Sequence, residues 1–266
     1  MKTPLFKFAN DFEISFEPEK HTYTVNGPGH NGAVVTSWTS VLGMLDKSAQ
    51  LLPWAVNCAI KYIDENGLTQ ESLDNARREW RTVRDEAADI GTEVHGKIER
   101  YIKYGLDAVG EMRDEVQNAL LAFLDWEKET GVKWLASECR VYNPLHGVAG
   151  TFDAIGEIDG KAYLIDFKSS KGFYDSFPLQ LGGYLSCLDY YSMPWRVENA
   201  GILRLDKKTG LPEWKEYPDL DRYKKTACRI ADLFYMLKKR RLKNNPFVGI
   251  NFPDKPKPKK KAKEAA

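Results

Sequence analysis

No two of the four cysteines, Cys58, Cys139, Cys187 and Cys228, stand near each other in the sequence, and no CxxC pair occurs. This argues against a disulfide framework and a cysteine-built zinc site, and suits buried thiols in a reducing compartment. Also missing is any run of about 18 apolar residues, so no membrane-spanning helix is expected. The opening "MKTPLFKFANDFEIS" lacks a signal-peptide core. These absences lead us to expect a soluble, cytoplasmic protein with no membrane partner. GxSxG and Walker A patterns are absent, which argues against a serine hydrolase or a nucleotide-driven motor. Charge of either sign is not in excess, with 39 Lys+Arg against 38 Asp+Glu and a formal net of +1. The last fourteen residues, "PDKPKPKKKAKEAA", hold six lysines and two acids, a net of +4, which leaves −3 for the rest. Affinity for a polyanion would then come from local patches and this tail, not from a basic body.

What is present is a chain of 266 residues with 42% hydrophobic and 12% aromatic residues, enough to bury a sizeable core. "FEISFEPEKHTYTVNG" alternates around a Pro-containing turn and predicts an early hairpin. "GPGHNG" at 27–32 matches GxGxxG in form, but with proline inside and no helix opening within it, so it reads as a hairpin loop. "TSWTSVLGML" opens on a capping hydroxyl, and "LLPWAVNCAIKYIDENG" predicts a helix ending at Gly67. The pattern from Gln70 to Tyr104 is helical, with an apolar stripe at Ala87, Ile90, Val94, Ile98 and Tyr101. "EMRDEVQNALLAFLDWEKETG" predicts another helix. Three strand-like runs follow, then a helix over about Ser176–Tyr190, strands near Ala200–Leu205 and Glu213–Tyr217, and a closing helix. The Lys/Pro/Ala tail reads as a disordered extension. "KKRRLKNN" at 238–245 suits either a helix C-terminal dipole or a nucleic-acid backbone.

"GVAGTFDAIGEIDGKAYLIDFKSS" carries the chemistry. Asp159-Gly160 is a strong hairpin signal. Counting outward from that two-residue turn, Ile158 opposes Lys161, Asp153 opposes Asp166, and Thr151 opposes Lys168. Alternation then puts Asp153, Asp166 and Lys168 on one face. Directly opposed like charges are destabilising. A hard divalent cation resolves the conflict, because Mg²⁺ takes oxygen ligands and is often held by one or two carboxylates. The plainer alternative is a solvated strand face on which Lys168 neutralises both acids.

This arrangement, "FD…IDFK", resembles the PD-(D/E)XK nuclease superfamily, with Phe152 in place of the usual proline. Three further stretches resemble the RecB-type exonuclease branch in the same order along the chain, over about residues 87–190. They are "GTEVHGKIE" with His95, "SECRV" with Glu138, and "QLGGY" with Gln180 and Tyr184. The chain as a whole is similar to stand-alone RecB-type exonucleases of tailed phages, to the mitochondrial genome maintenance exonuclease and to CRISPR-associated RecB-like nucleases.

The resemblance implies an α/β (α+β) fold: a restriction-endonuclease-like core with a central mixed sheet flanked by helices, plus an N-terminal helical segment. Residues 1–35 would be a β-hairpin region, 36–130 the helical segment, 131–252 the nuclease core and 253–266 the basic tail. It also implies a deoxyribonuclease dependent on Mg²⁺ or Mn²⁺, end-directed like its relatives. Asp153, Asp166, His95 and the carbonyl of Phe167 would hold the ion, and Lys168 would complete the catalytic set. Glu99, Glu138, Gln180, Tyr184 and Ser169 would line the substrate path or support the ligands. DNA would be the partner, with a phage recombination or single-strand-binding protein beside it. Some relatives carry an iron–sulfur cluster, but the cysteine spacing here is wrong for one. Two rival readings are an endonuclease of the same superfamily and a non-catalytic DNA-binding recombination partner.

Overall fold

The computed structural model of the chain describes residues 12–238. Both the lysine-rich tail at 253–266 and nearly all of the basic run at 238–245 lie outside the described residues. Three strands come first, β1 (Glu13–Glu17), β2 (Thr22–Gly27) and β3 (His30–Ser37). Helices α1 (Trp38–Leu42), α2 (Ser48–Asn66), α3 (Gln70–Tyr104) and α4 (Asp114–Thr130) follow. Next are β4 (Lys133–Asn143), β5 (Val148–Ile158), β6 (Lys161–Lys168), α5 (Ser176–Leu188), β7 (Val197–Leu205), β8 (Pro212–Glu216) and α6 (Leu220–Lys238). Local chemistry sets the helix ends. Thr69 and Ser72 cap the start of α3 reciprocally, and Gly131 stops α4 in the left-handed region at φ +61°.

The architecture is α/β, an eight-stranded mixed sheet with helices on both faces. Trp38, Phe152, Leu164, Leu181, Ile202 and Phe234 fill the face under α1, α5 and α6. The opposite face, under α3 and α4, is filled by Ile90, Val94, Ile98, Phe123, Ile165 and Leu203. Among the described residues no helix is long and apolar enough to cross a membrane.

The expected early hairpin has a third strand that the sequence reading did not separate from its loop. β3 pairs antiparallel with β2 and then parallel with β5, at Thr36–Val148 and Ser37–Ala149, so the N-terminal strands join the main sheet. α5 ends at Leu188, two residues before the expected Tyr190, and β7 begins at Val197, three before the expected Ala200. On α3 the stripe is buried at Ile90, Val94 and Ile98 and continues to Ile102, whereas Ala87 is exposed.

One strand edge is shared in a way that matters for the site. β4 covers one edge of β5 along most of its length. On the other edge β3 reaches only Val148 and Ala149, and β6 pairs only from Ala154 to Ile158. Residues 150–153 therefore face a fork where two neighbours diverge.

Two glycines let α5 close one side of that fork. A Cβ on Gly183 would lie 2.5 Å from Trp38 Cδ2, and one on Gly182 would lie 2.5 Å from the Tyr223 backbone carbon of α6. Backbone cannot yield as a side-chain tip can. Gly182→Ala is therefore expected to destabilise the protein by about 1–3 kcal/mol through overpacking. Gly96→Ala, in mid-helix with nothing within 4 Å of the added carbon, is expected to stabilise it by about 0.5–1 kcal/mol. Thermal melts of the two variants should move in opposite directions.

Candidate metal centre

The hairpin follows the register that Asp159-Gly160 sets. Both turn residues have positive φ, and Ile158–Lys161 through Ala154–Ile165 are paired. Pairing then stops, one position short of Asp153 and Asp166. Asp153 still reaches across, because its Oδ2 accepts a hydrogen bond of 2.6 Å from the Phe167 N–H. A side chain thus replaces a backbone acceptor where the strands separate. The expected opposition of Thr151 and Lys168 does not form. The Thr151 hydroxyl lies 2.9 Å from the Tyr23 hydroxyl, while Lys168 pairs with Arg204 on β7. The fork is the physical reason.

β5 also changes face at this point. Residues two apart on a regular strand share a side, yet Phe152 packs under α5 and Ala154 packs under α3 and α4. The flip occurs at Asp153. Across from it on β4, between the pairs Ser137–Ala154 and Cys139–Phe152, stands Glu138, with φ +50°. A non-glycine residue in the left-handed region costs of order 1 kcal/mol or more, and such strain gathers at functional sites. Glu138, Asp153 and Asp166 thus occupy one row across three adjacent strands.

α3 supplies the fourth group. Gly91 brings the helix against the end of β6, since a Cβ there would sit 3.4 Å from Ser169 Oγ. One turn on, His95 Nδ1 lies 3.2 Å from Asp153 Oδ1, with its ring edge-on to Phe167. Single ligand atoms of His95, Glu138 and Asp153 all lie within 4.8 Å of one another, so these three could hold a metal ion. Asp166 is not in that group. It is buried beside Lys168, whose Nζ lies 2.5 Å from Oδ2. Lys168 thus satisfies Oδ2, while the buried Oδ1 has no hydrogen-bond partner among the described residues. A carboxylate so placed calls for additional positive charge. One nitrogen and two carboxylate donors, with the free Oδ1 of Asp166 next to them, fit a divalent cation with oxygen preference such as Mg²⁺ or Mn²⁺.

The remaining expected residues sort by contact. The Phe167 carbonyl lies on the same strand edge as its N–H, the edge facing Asp153. Buried Tyr184 accepts a 2.9 Å hydrogen bond from Gln180 Nε2. Burial, and then Asp166 and Asp153, hold its phenol well above the usual range, so it stays protonated beside the acids. Its ring packs where Gly150 has no side chain. Glu99 pairs with Lys103 one turn along α3. The sequence reading did not single out Arg204. Its guanidinium is buried and bonds the Ser170 carbonyl (3.2 Å), Asp206 (3.0 Å) and Glu213. It thereby fixes the chain just past Lys168. An arginine amid "AGILRL" was the available signal.

Electrostatics follow from crowding acids in a low-dielectric site. Burial, and then Asp153, push Glu138 up to about 8. Burial, and then Asp153 against the counteracting Lys168, leaves Asp166 at about 6. His95 is opposed by burial, but Asp153 prevails and raises it to about 9. Lys168 is likewise opposed by burial and raised by Asp166, so it is a fixed cation.

No family model matches the chain, and no curated protein matches it. Among solved structures, one described as "Crystal structure of SSO0001" matches with a TM-score of 0.29 and 18% identity, over 55% of this chain and 74% of that one. A likeness of that size carries no argument about function.

The pKa shifts fix a pH dependence for the cation-free protein. A histidine raised from 6.5 to about 9 gives stability that is complete below 6.5 and lost as pH rises through 9. An acid raised from 4.5 to about 8 acts in the same direction, with stability lost as pH rises between those values. In EDTA the melting temperature should therefore fall from pH 6 to pH 9. Glu138→Gln should flatten that fall and melt higher than wild type at pH 9. An unchanged pH profile in the variant would contradict the assignment.

Proposed function

We propose that this chain is a metal-dependent deoxyribonuclease of the PD-(D/E)XK type, acting from DNA ends. The observation that carries the reading is Asp166, a buried carboxylate paired with Lys168 through Oδ2 and with Oδ1 left without a partner, one strand from the His95, Glu138 and Asp153 group. Three acids and an ammonium converging at a strand fork suit phosphodiester hydrolysis, in which negative charge grows on phosphorus and on the leaving oxygen.

His95, Glu138 and Asp153, joined by Asp166, would hold Mg²⁺ or Mn²⁺. When bound, the cation supplies the charge that acidifies a water and polarises the scissile phosphate. The protein's own groups do the rest. Lys168, held over the Phe177 ring at 5.3 Å and fixed by Asp166, orients the attacking water and offsets charge on the phosphate. The Phe167 N–H locks the Asp153 carboxylate in one rotamer. Arg204 keeps the Ser169–Ser170 turn in position beside Lys168. Tyr184 presents a protonated phenol to the phosphate side. In this reading the biological setting is DNA recombination, repair or degradation, as in the phage enzymes that the sequence resembles.

The test uses end-labelled linear DNA, a covalently closed circle of the same sequence, and Mg²⁺ or Mn²⁺. The linear substrate should be degraded from its ends and the circle spared. Asp166→Ala and Lys168→Ala should each lower cleavage by roughly a thousandfold and leave DNA binding within a few-fold. Cleavage of the circle would favour an endonuclease. Binding without cleavage under any divalent ion would favour a non-catalytic DNA-binding protein.

A further inference from the structure

Two residues along β4 and β5 from Glu138 and Asp153 stand polar groups that the cation site does not use. Arg140 and Thr151 are directly opposed on the two strands, and side chains so opposed share a face with Cβ atoms about 5 Å apart. Gly150 and Phe152 face α5. Thr151 and Asp153 therefore take the opposite face, where α3 brings His95. Tyr23 of β2 reaches the same spot, its hydroxyl 2.9 Å from that of Thr151. The Tyr23 ring packs with Ile14, Val25, Val35 and Tyr142, where a phenylalanine would fill the same space, so the hydroxyl is what calls for an explanation. Burial raises its phenol above the usual range and keeps it a protonated donor, and both Glu138 and Arg140 are near enough to act on it. Two hydroxyls carry two protons, and the one hydrogen bond between them uses one. The other O–H has no acceptor among the described residues. Arg140 is exposed and makes no ion pair or hydrogen bond among the described residues. A free surface arginine is ordinary alone, but this one faces a spare hydroxyl donor, and the row they form ends at the candidate metal centre.

We propose that Arg140, Thr151 and Tyr23 form a second phosphate site, which holds the phosphate next to the scissile one on the substrate strand. Guanidinium and hydroxyl groups both donate, as a phosphodiester oxygen requires, and contacts of this kind fix the register of a strand without reading its sequence. The spacing agrees. Thr151 lies about 7 Å along β5 from Asp153, comparable to the step between successive phosphates of an extended strand. A phosphate on the cation at Asp153 thus sets its neighbour against Arg140. The arginine also brings positive charge to a rim where three acids would otherwise repel a polyanion. The substrate class that follows is a strand with at least two adjacent phosphates, so an isolated phosphodiester would use the cation site alone. The inference rests on the nuclease reading for the identity of that strand, and its test keeps the two apart.

Hydrolysis of a single-stranded oligonucleotide with Mn²⁺ is compared with that of bis(para-nitrophenyl) phosphate, a diester with no neighbouring phosphate. Arg140→Ala should lower kcat/KM on the oligonucleotide by roughly ten- to a hundredfold, the loss of a charge-assisted hydrogen bond, and leave the small diester unchanged. Arg140→Lys should recover part of that loss. Tyr23→Phe should cost about two- to tenfold on the oligonucleotide alone. An uncharged methylphosphonate, placed in turn on either side of the scissile bond, should slow the wild type at one position and add nothing to Arg140→Ala there. Equal losses on both substrates, no loss on the oligonucleotide, or a methylphosphonate penalty that survives in Arg140→Ala would each overturn the site. A wild type inert on both substrates would count against the nuclease reading instead, and binding then tests the site alone. Without divalent ions, the slope of log affinity against log salt should fall by about 0.7 in Arg140→Ala, the share of one phosphate contact on a single strand. An unchanged slope, or no binding by the wild type, overturns the inference.

Discussion

Three carboxylates brought together where water is scarce are the constraint on which the rest of this structure depends. Glu138, Asp153 and Asp166 come from three neighbouring strands, and Lys168 is the ammonium in contact with Asp166. Without a metal, the deficit of positive charge is met by protons. His95 keeps one to about pH 9, Glu138 holds one to about 8, and Asp166 releases its own near 6. A protein gains nothing in stability from such a cluster, since replacing charged residues in a poorly hydrated site is often neutral or better. On the proposed reading, a cation that takes the place of those protons would account for the cluster.

Distortion of the sheet is what makes the cluster possible. In a regular antiparallel pair the side chain of Asp153 would stand off the sheet and its neighbour's amide would meet a carbonyl. Here β3 and β6 part on either side of 150–153, β5 rotates from one face to the other, and the Asp153 carboxylate takes the Phe167 amide. Glu138 compensates across the strand pair with a left-handed backbone. Glycines then allow helices to approach the break. Gly91 does so for α3, which brings His95, and Gly150 and Gly183 do so for α5, which brings Tyr184. Much of the "QLGGY" stretch is thus explained by packing, with Tyr184 as the residue that also faces the acids.

Sequence legibility followed periodicity and stopped where periodicity failed. The β5–β6 register could be counted from Asp159-Gly160 because a two-residue turn leaves no freedom. α3 could be bounded because Thr69 and Gly105 mark its ends. His95 and the two aspartates stood out through their spacing and their resemblance to known motifs. The fork could not be read, since it depends on β3 arriving from more than a hundred residues away. Counting alternation through Asp153 therefore misplaced Thr151. Glu138 stood out through its resemblance to a motif strand, but nothing in its side chain announces the positive φ that sets it beside His95 and Asp153. Arg204 looked like an interruption in an apolar strand, and its role rests on Asp206 and Glu213, which the fold brings to it.

The exchange of protons for a cation is the central claim, and it can be measured without any substrate. Calorimetric titration of the protein with Mn²⁺ near pH 7, repeated in buffers of different ionisation enthalpy, gives both affinity and protons released. The account requires saturable binding with roughly one to two protons expelled per ion, because His95 and Glu138 must lose theirs to become ligands. Glu138→Gln should release fewer. Binding with no proton release, or no binding at all, would contradict the account.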